Sequence, residues 1–206
     1  MDFQILIFFV VASAGLAFSP GPDNIFVLIQ SALCGKKTGM AVVMGLMTGC
    51  LIHTSLIAFG LSTFVQSNEG LYFILKLFGA SYMLFLAFKV YKSNVNFNQD
   101  HKSLQYYGFY ELFKQGFVMN VLNPKVSVFF LAFFPGFLFS ETMELYKQFY
   151  VLGFLFILTS FSVFSCYVLL SSYFSKLFLK SPQRQLLLKR LQAVFFVGIA
   201  VVILRG

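Results

Sequence analysis

The sequence predicts an all-α integral membrane protein with six transmembrane helices, arranged as two inverted three-helix repeats in which the first helix of each repeat is broken. Of its 206 residues, 59% are hydrophobic and only 11% are charged, whereas a soluble domain has about 25% charged residues. The apolar residues form long runs, and proline interrupts two of them. This composition disfavours a cytosolic enzyme, a disordered chain and a nucleic-acid-binding domain, and it predicts a lipid bilayer as the surroundings.

Six apolar stretches account for the predicted helices. A transmembrane helix requires about 20 mostly apolar residues, so the chain has room for six spans within a single transporter domain, 1–206. The last stretch is the shortest, because its uncharged part, Leu191–Leu204, would be about 21 Å long as a helix, and a five-span chain is the alternative. The stretches run from about Ile5 to Ser31, Thr38 to Val65, Leu71 to Val90, Phe113 to Phe139, Phe149 to Ser171 and Leu186 to Leu204.

Lysine and arginine are distributed unequally between the two ends of these stretches. The connections after spans one, three and five hold eleven of them, and the opposite side holds three. Positively charged loops stay in the cytoplasm. The bias therefore predicts a multi-pass protein of the plasma (inner) membrane with both termini on its outer face.

The longest connection, Lys92–Leu112, is predicted to be a cytoplasmic linker between two repeat halves, about 1–92 and 105–206. Proline interrupts the first span of each half, within Ser19–Asp23 and within Asn123–Lys125. Because each half has three spans, the second half must be inverted in the membrane. Interrupted helices at matching positions of inverted halves are typical of secondary transporters, whose binding sites lie at the repeat interface near mid-membrane.

Asp23 and Lys125 are the charged residues deepest inside the apolar stretches, and each directly follows a proline. If the flanking segments are helical, both lie roughly 16–20 Å from the cytoplasmic boundary, near the middle of a ~30 Å hydrocarbon core. A lone charge there costs about 2.5–3.5 kcal/mol, so such residues normally pair or line a water-filled path. The sequence leaves two interpretations open, a static structural pair and a pair that binds substrate or protons.

His53 is the one histidine within an apolar stretch. Gly45, Gly49 and His53 are spaced by four residues and share a helix face, and small residues at that spacing allow a neighbouring helix to approach closely. A hydrogen-bonded structural histidine is one interpretation of His53. A protonation site that titrates near neutral pH is the other.

Polar residues beside the two breaks complete the candidate site. Thr48 adds a hydroxyl in span two, although hydroxyls in membrane helices usually bond their own backbone. The three cysteines, Cys34, Cys50 and Cys166, lack CxxC spacing, so we expect neither a metal site nor a cofactor. The candidate substrate- or ion-binding residues are Pro20, Gly21, Pro22, Asp23, Asn24, Thr48, His53, Asn120, Asn123, Pro124 and Lys125.

Several different short motifs are spread along almost the whole chain. In addition to the first break, they are Gly35-Lys36-Lys37-Thr38-Gly39, Gly45-Leu46-Met47-Thr48-Gly49, the segment Leu75–Leu86, and Phe113–Phe117 leading to Asn120, Asn123-Pro124-Lys125 and Phe129-Phe130. Together these segments resemble the LysE/RhtB family of amino-acid exporters. Two positions depart from the family's pattern: Ala87, where a glycine is common, and Gly136, where a glutamine often follows the proline. Both lie away from the candidate site. They bear on which substrate the protein carries and not on its fold.

The resemblance implies that the protein exports amino acids or close derivatives from the cytoplasm, driven by the proton gradient. A small zwitterion and protons are then the expected partners, and a homodimer is left open. An exporter of another small solute or of a metal cation is the alternative. No nucleophile motif accompanies His53 and Asp23, so we do not expect an enzyme.

A mechanism follows from the two breaks. Half-helix N-termini present free N–H groups, and C-terminal ends present free carbonyls. Asp23, with the carbonyls around Pro20–Pro22, is predicted to receive an ammonium group. Lys125, with Asn123 and the N–H groups that follow Pro124, is predicted to receive a carboxylate. A proton entering from outside would compete for Asp23, with the intramembrane histidine as the alternative proton carrier.

Overall fold

The computed structural model describes residues 2–19, 21–61, 69–92, 108–174 and 182–205, which are helical with short connections and contain no strand. Pro20 and most of the predicted linker lie outside these ranges. The all-α prediction is confirmed. The helices are α1 (Phe3–Phe18), α2 (Pro22–Cys34), α3 (Lys36–Leu56), α4 (Glu69–Lys92), α5 (Phe109–Val121), α6 (Pro124–Val128), α7 (Leu145–Leu169), α8 (Ser171–Phe174) and α9 (Pro182–Arg205).

Both predicted helix breaks are present. The first lies between α1 and α2, whose axes are inclined at 63°, and the second lies between α5 and the segment Pro124–Phe137, inclined at 48°. Each second half begins with proline, which lacks an N–H and suits the first position of a helix. The breaks therefore fall where the sequence predicts them.

Two helices of the described chain, Lys36–Gly60 and Leu145–Leu169, are long and apolar enough to cross a membrane, and each bent pair adds a further candidate span. The third and sixth predicted spans correspond to α4 and α9, which have 24 residues each. The total of six spans and the inverted relation of the halves stay predictions.

Glycines set the closest helix contact, between α3 and α5. A Cβ added to Gly45 would collide with the backbone of Phe113 and Phe117, and one added to Gly116 would collide with the backbone of Val42. Small residues thus bring the two backbones together, as the spacing of Gly45 and Gly49 predicts. This crossing fixes the α3 face that carries His53 against the second break.

The helix contacts between the two halves match one another. α3 packs against α5, α1 packs correspondingly against α7, and α4 packs against α9. Two copies of one three-span unit would give these contacts.

An aromatic core anchors the second half of span four. α6 widens into a π-helical turn, Phe129–Phe133, and tightens into a 3₁₀ turn, Phe134–Phe137. Pro135 explains the irregularity, because its ring clashes with the carbonyl four residues earlier and it donates no hydrogen bond. Phe130 stacks on Phe134 with ring centroids 4.2 Å apart, and Phe156 of α7 packs edge-on against Phe130 at 4.9 Å.

The connection between this 3₁₀ turn and α7 is held by Gln148, which is buried. Gln148 Oε1 accepts from Phe139 N at 2.9 Å and from Ser140 N at 3.1 Å. Its Nε2 donates to Ser140 O at 2.8 Å and to Met143 O at 2.7 Å. One side chain therefore satisfies four backbone groups and fixes the end of span four to α7.

Candidate substrate site at the helix breaks

The structure brings the two deepest charges together. Asp23 lies in the first turn of α2 and Lys125 in the first turn of α6, and Lys125 Nζ is 3.8 Å from Asp23 Oδ1. Their side chains are 5% and 9% exposed, respectively. The negative charge of Asp23 is favourable at the N-terminus of α2, whereas a cation at the N-terminus of α6 is not. The Lys125 ammonium instead donates to the carbonyl of Ser19, at the C-terminal end of α1, at 3.1 Å.

Side chains from three different helices satisfy the last carbonyls of α1. A helix end leaves such carbonyls without partners inside the helix, and in a membrane they must be satisfied by protein or by water. The first break is therefore held by α2, α6 and α7 together. The pairs are Asn24 Nδ2 with Ala17 O at 2.6 Å, Lys125 Nζ with Ser19 O at 3.1 Å and Tyr167 Oη with Phe18 O at 3.2 Å.

The second break is closed by Asn123, the N-cap of α6. Its Oδ1 accepts from Lys125 N at 3.0 Å, and its carbonyl accepts from Val126 N and Ser127 N, both at 3.0 Å. These are the N–H groups that follow Pro124, and the sequence analysis expected them to be available for a carboxylate. In the structure they are already hydrogen-bonded, because an asparagine at the N-cap bonds the exposed N–H groups of the first turn.

His53 lies against the carbonyl that Pro124 leaves without its helical partner. That carbonyl belongs to Asn120, four residues earlier, and His53 Nε2 is 3.3 Å from it. Asn123 N donates to the same oxygen at 3.0 Å. The side chain of Asn120 turns to α3, where its Nδ2 lies 3.4 Å from Cys50 Sγ. This arrangement matches the structural interpretation of His53, a hydrogen-bonded side chain at the second break.

Four buried side-chain oxygens around these groups have no hydrogen-bond partner. Gly21 brings two of them close to the backbone of the first break: a Cβ on Gly21 would collide with Asp23 Oδ1, would lie 3.0 Å from Lys125 Nζ and would lie 3.6 Å from Asn24 Oδ1. The missing side chain therefore allows the ion pair to pack directly against the backbone. The four oxygens are Ser19 Oγ, Asp23 Oδ1, Asn24 Oδ1 and Asn120 Oδ1.

Comparison with known proteins identifies the chain. The family model of the LysE type translocator matches residues 14–206. The chain belongs to this family. Two relatives, each named a homoserine/homoserine lactone efflux protein, come from Salmonella typhimurium (strain LT2) and Salmonella typhi. Each is 31% identical over 153 residues, which cover 74% of this chain and 73% of the relative. No solved structure matches.

Membership confirms the resemblance found in the sequence. The protein is a membrane transporter of the LysE translocator family, not an enzyme, and its relatives support export of amino-acid-like compounds. The described residues contain no group of three or more histidine, cysteine or acidic side chains that could hold a metal ion.

Not every predicted residue of this LysE-type translocator reaches the site. Thr48 Oγ1 donates to Met44 O of its own helix at 2.9 Å. Pro22 and Pro124 are exposed first residues of α2 and α6, so they shape the breaks without lining the pair, and Pro20 lies outside the described residues.

Two further residues of the site were missed by sequence reasoning. Tyr167 lies among largely apolar residues of span five, and its hydroxyl is the only feature in the sequence that could point to a role in the site. Cys50 lacks CxxC spacing, so the sequence gives it no role in the site. Cys50 contacts Asn120 of the second break, and Tyr167 donates to Phe18 O of the first.

Proposed function

We propose that this LysE-type translocator exports an amino acid or a close derivative from the cytoplasm in exchange for protons, with the Asp23–Lys125 pair as its binding and coupling site. The supporting observation is the pair itself. It is buried where two broken helices meet, and its atoms are 3.8 Å apart. Ser19, Asn24 and Asn120 of the same breaks carry buried oxygens without hydrogen-bond partners. A pair that served only to neutralise two charges would not require those oxygens.

Substrate binding on this proposal opens the pair. The ammonium group of the substrate takes the place of Lys125 beside Asp23, and the Lys125 ammonium becomes available for a carboxylate. Two charge-assisted contacts then replace one, which offsets the desolvation of the zwitterion.

Proton coupling follows from competition at one carboxylate. A proton on Asp23 removes the negative charge that holds the ammonium group, so protonation from the outer side releases the substrate there. Deprotonation towards the cytoplasm restores the site. His53 is the second candidate for the proton, with its Nε2 hydrogen-bonded to the Asn120 carbonyl and its Nδ1 as the protonating nitrogen.

The substrate class follows from the relatives. Two of them are named homoserine/homoserine lactone efflux proteins, so a small hydroxylated amino acid or its lactone is the first compound to test. A metabolite profile of cells that overexpress the protein should show selective loss of one such compound from the cytoplasm.

The orientation proposed here is six spans in the inner membrane with both termini outside. In a cysteine-free background, single cysteines near residues 68 and 142 should react with an impermeant reagent added from outside, and one near residue 98 should not. Labelling at residue 98 would reverse the orientation.

Asp23→Asn tests the coupling site in proteoliposomes. The variant should lose export driven by a proton gradient, because asparagine cannot exchange a proton, and it should retain slow exchange of substrate across the membrane. A variant that still concentrates substrate against its gradient would exclude Asp23 as the coupling residue, and His53→Gln would then be examined.

Glu144→Gln is the matched control. Glu144 is exposed, and its Oε2 pairs with Lys147 Nζ at 2.7 Å. The hydrogen bond from Lys147 lowers the pKa of the Glu144 carboxyl, so this carboxyl is ionised at neutral pH. Its replacement removes one paired carboxylate outside the site and should leave coupled export unchanged.

A further inference from the structure

Far from the helix breaks, positive charge is concentrated at one end of the packed pair α4 and α9. Residues 85–92 of α4 and 184–191 of α9 together contain five lysine and arginine residues and no acidic residue. In the other closely packed pair, α3 and α5, Glu111 lies three residues before Lys114 and balances part of the charge. The α4–α9 end therefore combines several cations with no acidic residue in the same segments.

The packing of the two helices brings these segments to the same level. A Cβ on Gly79 of α4 would lie 3.9 Å from Ile203 Cδ1 of α9. Spans three and six run in opposite directions in the topology proposed above, so equal steps forward from Gly79 and backward from Ile203 reach the same depth. Thirteen residues lead to Lys92 and to Arg190, each about 20 Å from that contact along its helix.

Both helices expose basic and apolar side chains on the same face. Residues spaced by three and four positions share one face of a helix. On each helix the apolar members of the face lie deeper in the predicted span than its outermost cation. The exposed residues are Phe85, Phe88, Lys89 and Lys92 on α4, and Arg190 and Val194 on α9.

Aromatic side chains mark the depth of this end in the membrane. Lys92 Nζ lies 5.8 Å from the centre of the Phe88 ring, a distance at which a ring attracts a cation. Tyr91 beside it is exposed, and tyrosine is enriched where a membrane meets water. A ring does not neutralise the ammonium charge, so Lys92 keeps its charge for an anion at the level of the lipid headgroups.

We propose that the cytoplasmic end of the α4–α9 pair binds the headgroup of an anionic phospholipid, whose acyl chains lie along the exposed apolar side chains. Basic clusters between transmembrane helices on the cytoplasmic side suit lipid phosphate groups, and an arginine guanidinium can bond a phosphate through two N–H groups. The inference goes beyond the proposed export function and uses only its topology. A free phosphate would match the cations but not the apolar faces.

Lipid titration of the purified full-length protein in dodecyl maltoside tests this inference. A ligand that binds the folded protein raises its melting temperature. Dioctanoyl phosphatidylglycerol should do so at a concentration at least about tenfold lower than dioctanoyl phosphatidylcholine, and glycerol 3-phosphate should have no effect at that concentration. Equal potency of the two lipids would overturn the inference. An equal effect of glycerol 3-phosphate would show a phosphate site and exclude a lipid site.

The triple variant Lys89→Gln/Lys92→Gln/Arg190→Gln places the preference on these side chains. It removes three exposed cations and keeps polar side chains in their place. The preference for phosphatidylglycerol over phosphatidylcholine should fall to about threefold or less. An unchanged preference would overturn the inference.

The matched control is Lys36→Gln/Lys37→Gln/Lys114→Gln. It removes three exposed cations from the α3–α5 pair on the same predicted side of the membrane, so the preference should be retained. An equal loss in both triple variants would mean a general attraction to basic surfaces, and the α4–α9 site would be excluded.

Two single variants of Lys92 repeat the test if the triple variant does not fold. Lys92→Arg keeps a cation beside Phe88 and should keep the preference, whereas Lys92→Gln should lower it about threefold. The same preference in both variants would exclude a headgroup contact at Lys92 and overturn the inference. Because lipid binding is measured without transport, failure here leaves the proposed exporter untouched.

Discussion

Both helix breaks contain proline, but the backbone groups that they expose are satisfied in different ways. At the second break, Asn123 bonds three N–H groups of its own helix with its side chain and carbonyl. At the first, Gly21 provides no side-chain cap, and the carbonyls of α1 depend on Asn24, Lys125 and Tyr167. The helix N-terminus at the second break is closed by its own N-cap residue, whereas the helix C-terminus at the first break depends in part on helices that are distant in sequence.

This difference shows that a proline break does not by itself create a binding site. An N-terminus that is closed in this way has no free first-turn N–H group for a ligand. A break that relies on neighbouring helices is sensitive to the position of those helices, and here it leaves the buried Asn24 Oδ1 without a hydrogen-bond partner. On the proposed function, we therefore expect the first break to be the half of the site that changes during transport.

Lys125→Met should have the largest effect, because Lys125 joins the two breaks. It would leave the Asp23 charge buried without a partner, which costs about 3–5 kcal/mol, and it would remove the donor to Ser19 O. We expect export to be abolished and the amount of protein in the membrane to fall, measured by transport and by quantitative immunoblotting.

The double variant Asp23→Asn/Lys125→Met separates structure from function. Removing both partners of a buried pair is often tolerated, so the amount of protein should recover while export stays absent. Recovery of export as well would mean that the pair is structural, and the first break would then lose its assigned role.

His53 tests how far the second break depends on α3. His53→Leu removes the contact with the Asn120 carbonyl and should reduce thermal stability by about 1–3 kcal/mol. His53→Gln keeps an N–H donor and should retain most export with an unchanged pH profile. A shifted pH profile in His53→Gln would identify His53 as a proton carrier.

Asn123→Ala should uncap α6 and make the second break resemble the first. Loss of an N-cap side chain costs about 1 kcal/mol, so the melting temperature should fall while the Asp23–Lys125 pair persists. Ser127→Ala is the control, since the Ser127 hydroxyl also bonds Asn123 O, at 3.2 Å, but does not cap the helix. Equal losses in both variants would contradict the capping role.

Tyr167→Phe should have the smallest effect. It removes the hydroxyl that bonds Phe18 O, worth about 0.5–1.5 kcal/mol, and should slow export with little change in the amount of protein. Tyr150→Phe removes an exposed hydroxyl that contacts Ser55 of α3 near the N-terminal end of α7. If the two variants slowed export alike, α7 would not contribute specifically to the first break.

The sequence predicts the parts of this site that depend on local chemistry. Prolines locate both breaks, charges inside apolar stretches identify Asp23 and Lys125, and glycines spaced by four predict the close crossing of α3. These signals are carried by residue type and spacing alone.

Other features depend on how distant helices pack. Whether Asn123 turns its oxygen back to its own helix, and whether Tyr167 reaches the α1 carbonyl, is decided by side-chain orientation across several helices. Pro124 beside Asn123 locates the break but not the direction of the Asn123 side chain, and Tyr167 has no distinguishing neighbour in sequence, so the closed N-terminus of α6 was not foreseen.

The distance along the chain between the two breaks has a consequence for biosynthesis. Lys125 and the Ser19 carbonyl that it bonds are 106 residues apart, so the ribosome delivers the first break to the membrane well before α6 exists. Until then Asp23 has no cation, and an uncompensated charge at mid-membrane costs about 2.5–3.5 kcal/mol. The nascent first span must therefore stay in a hydrated environment or carry a protonated Asp23. It is stable in the bilayer only after the second half of the polypeptide has been inserted.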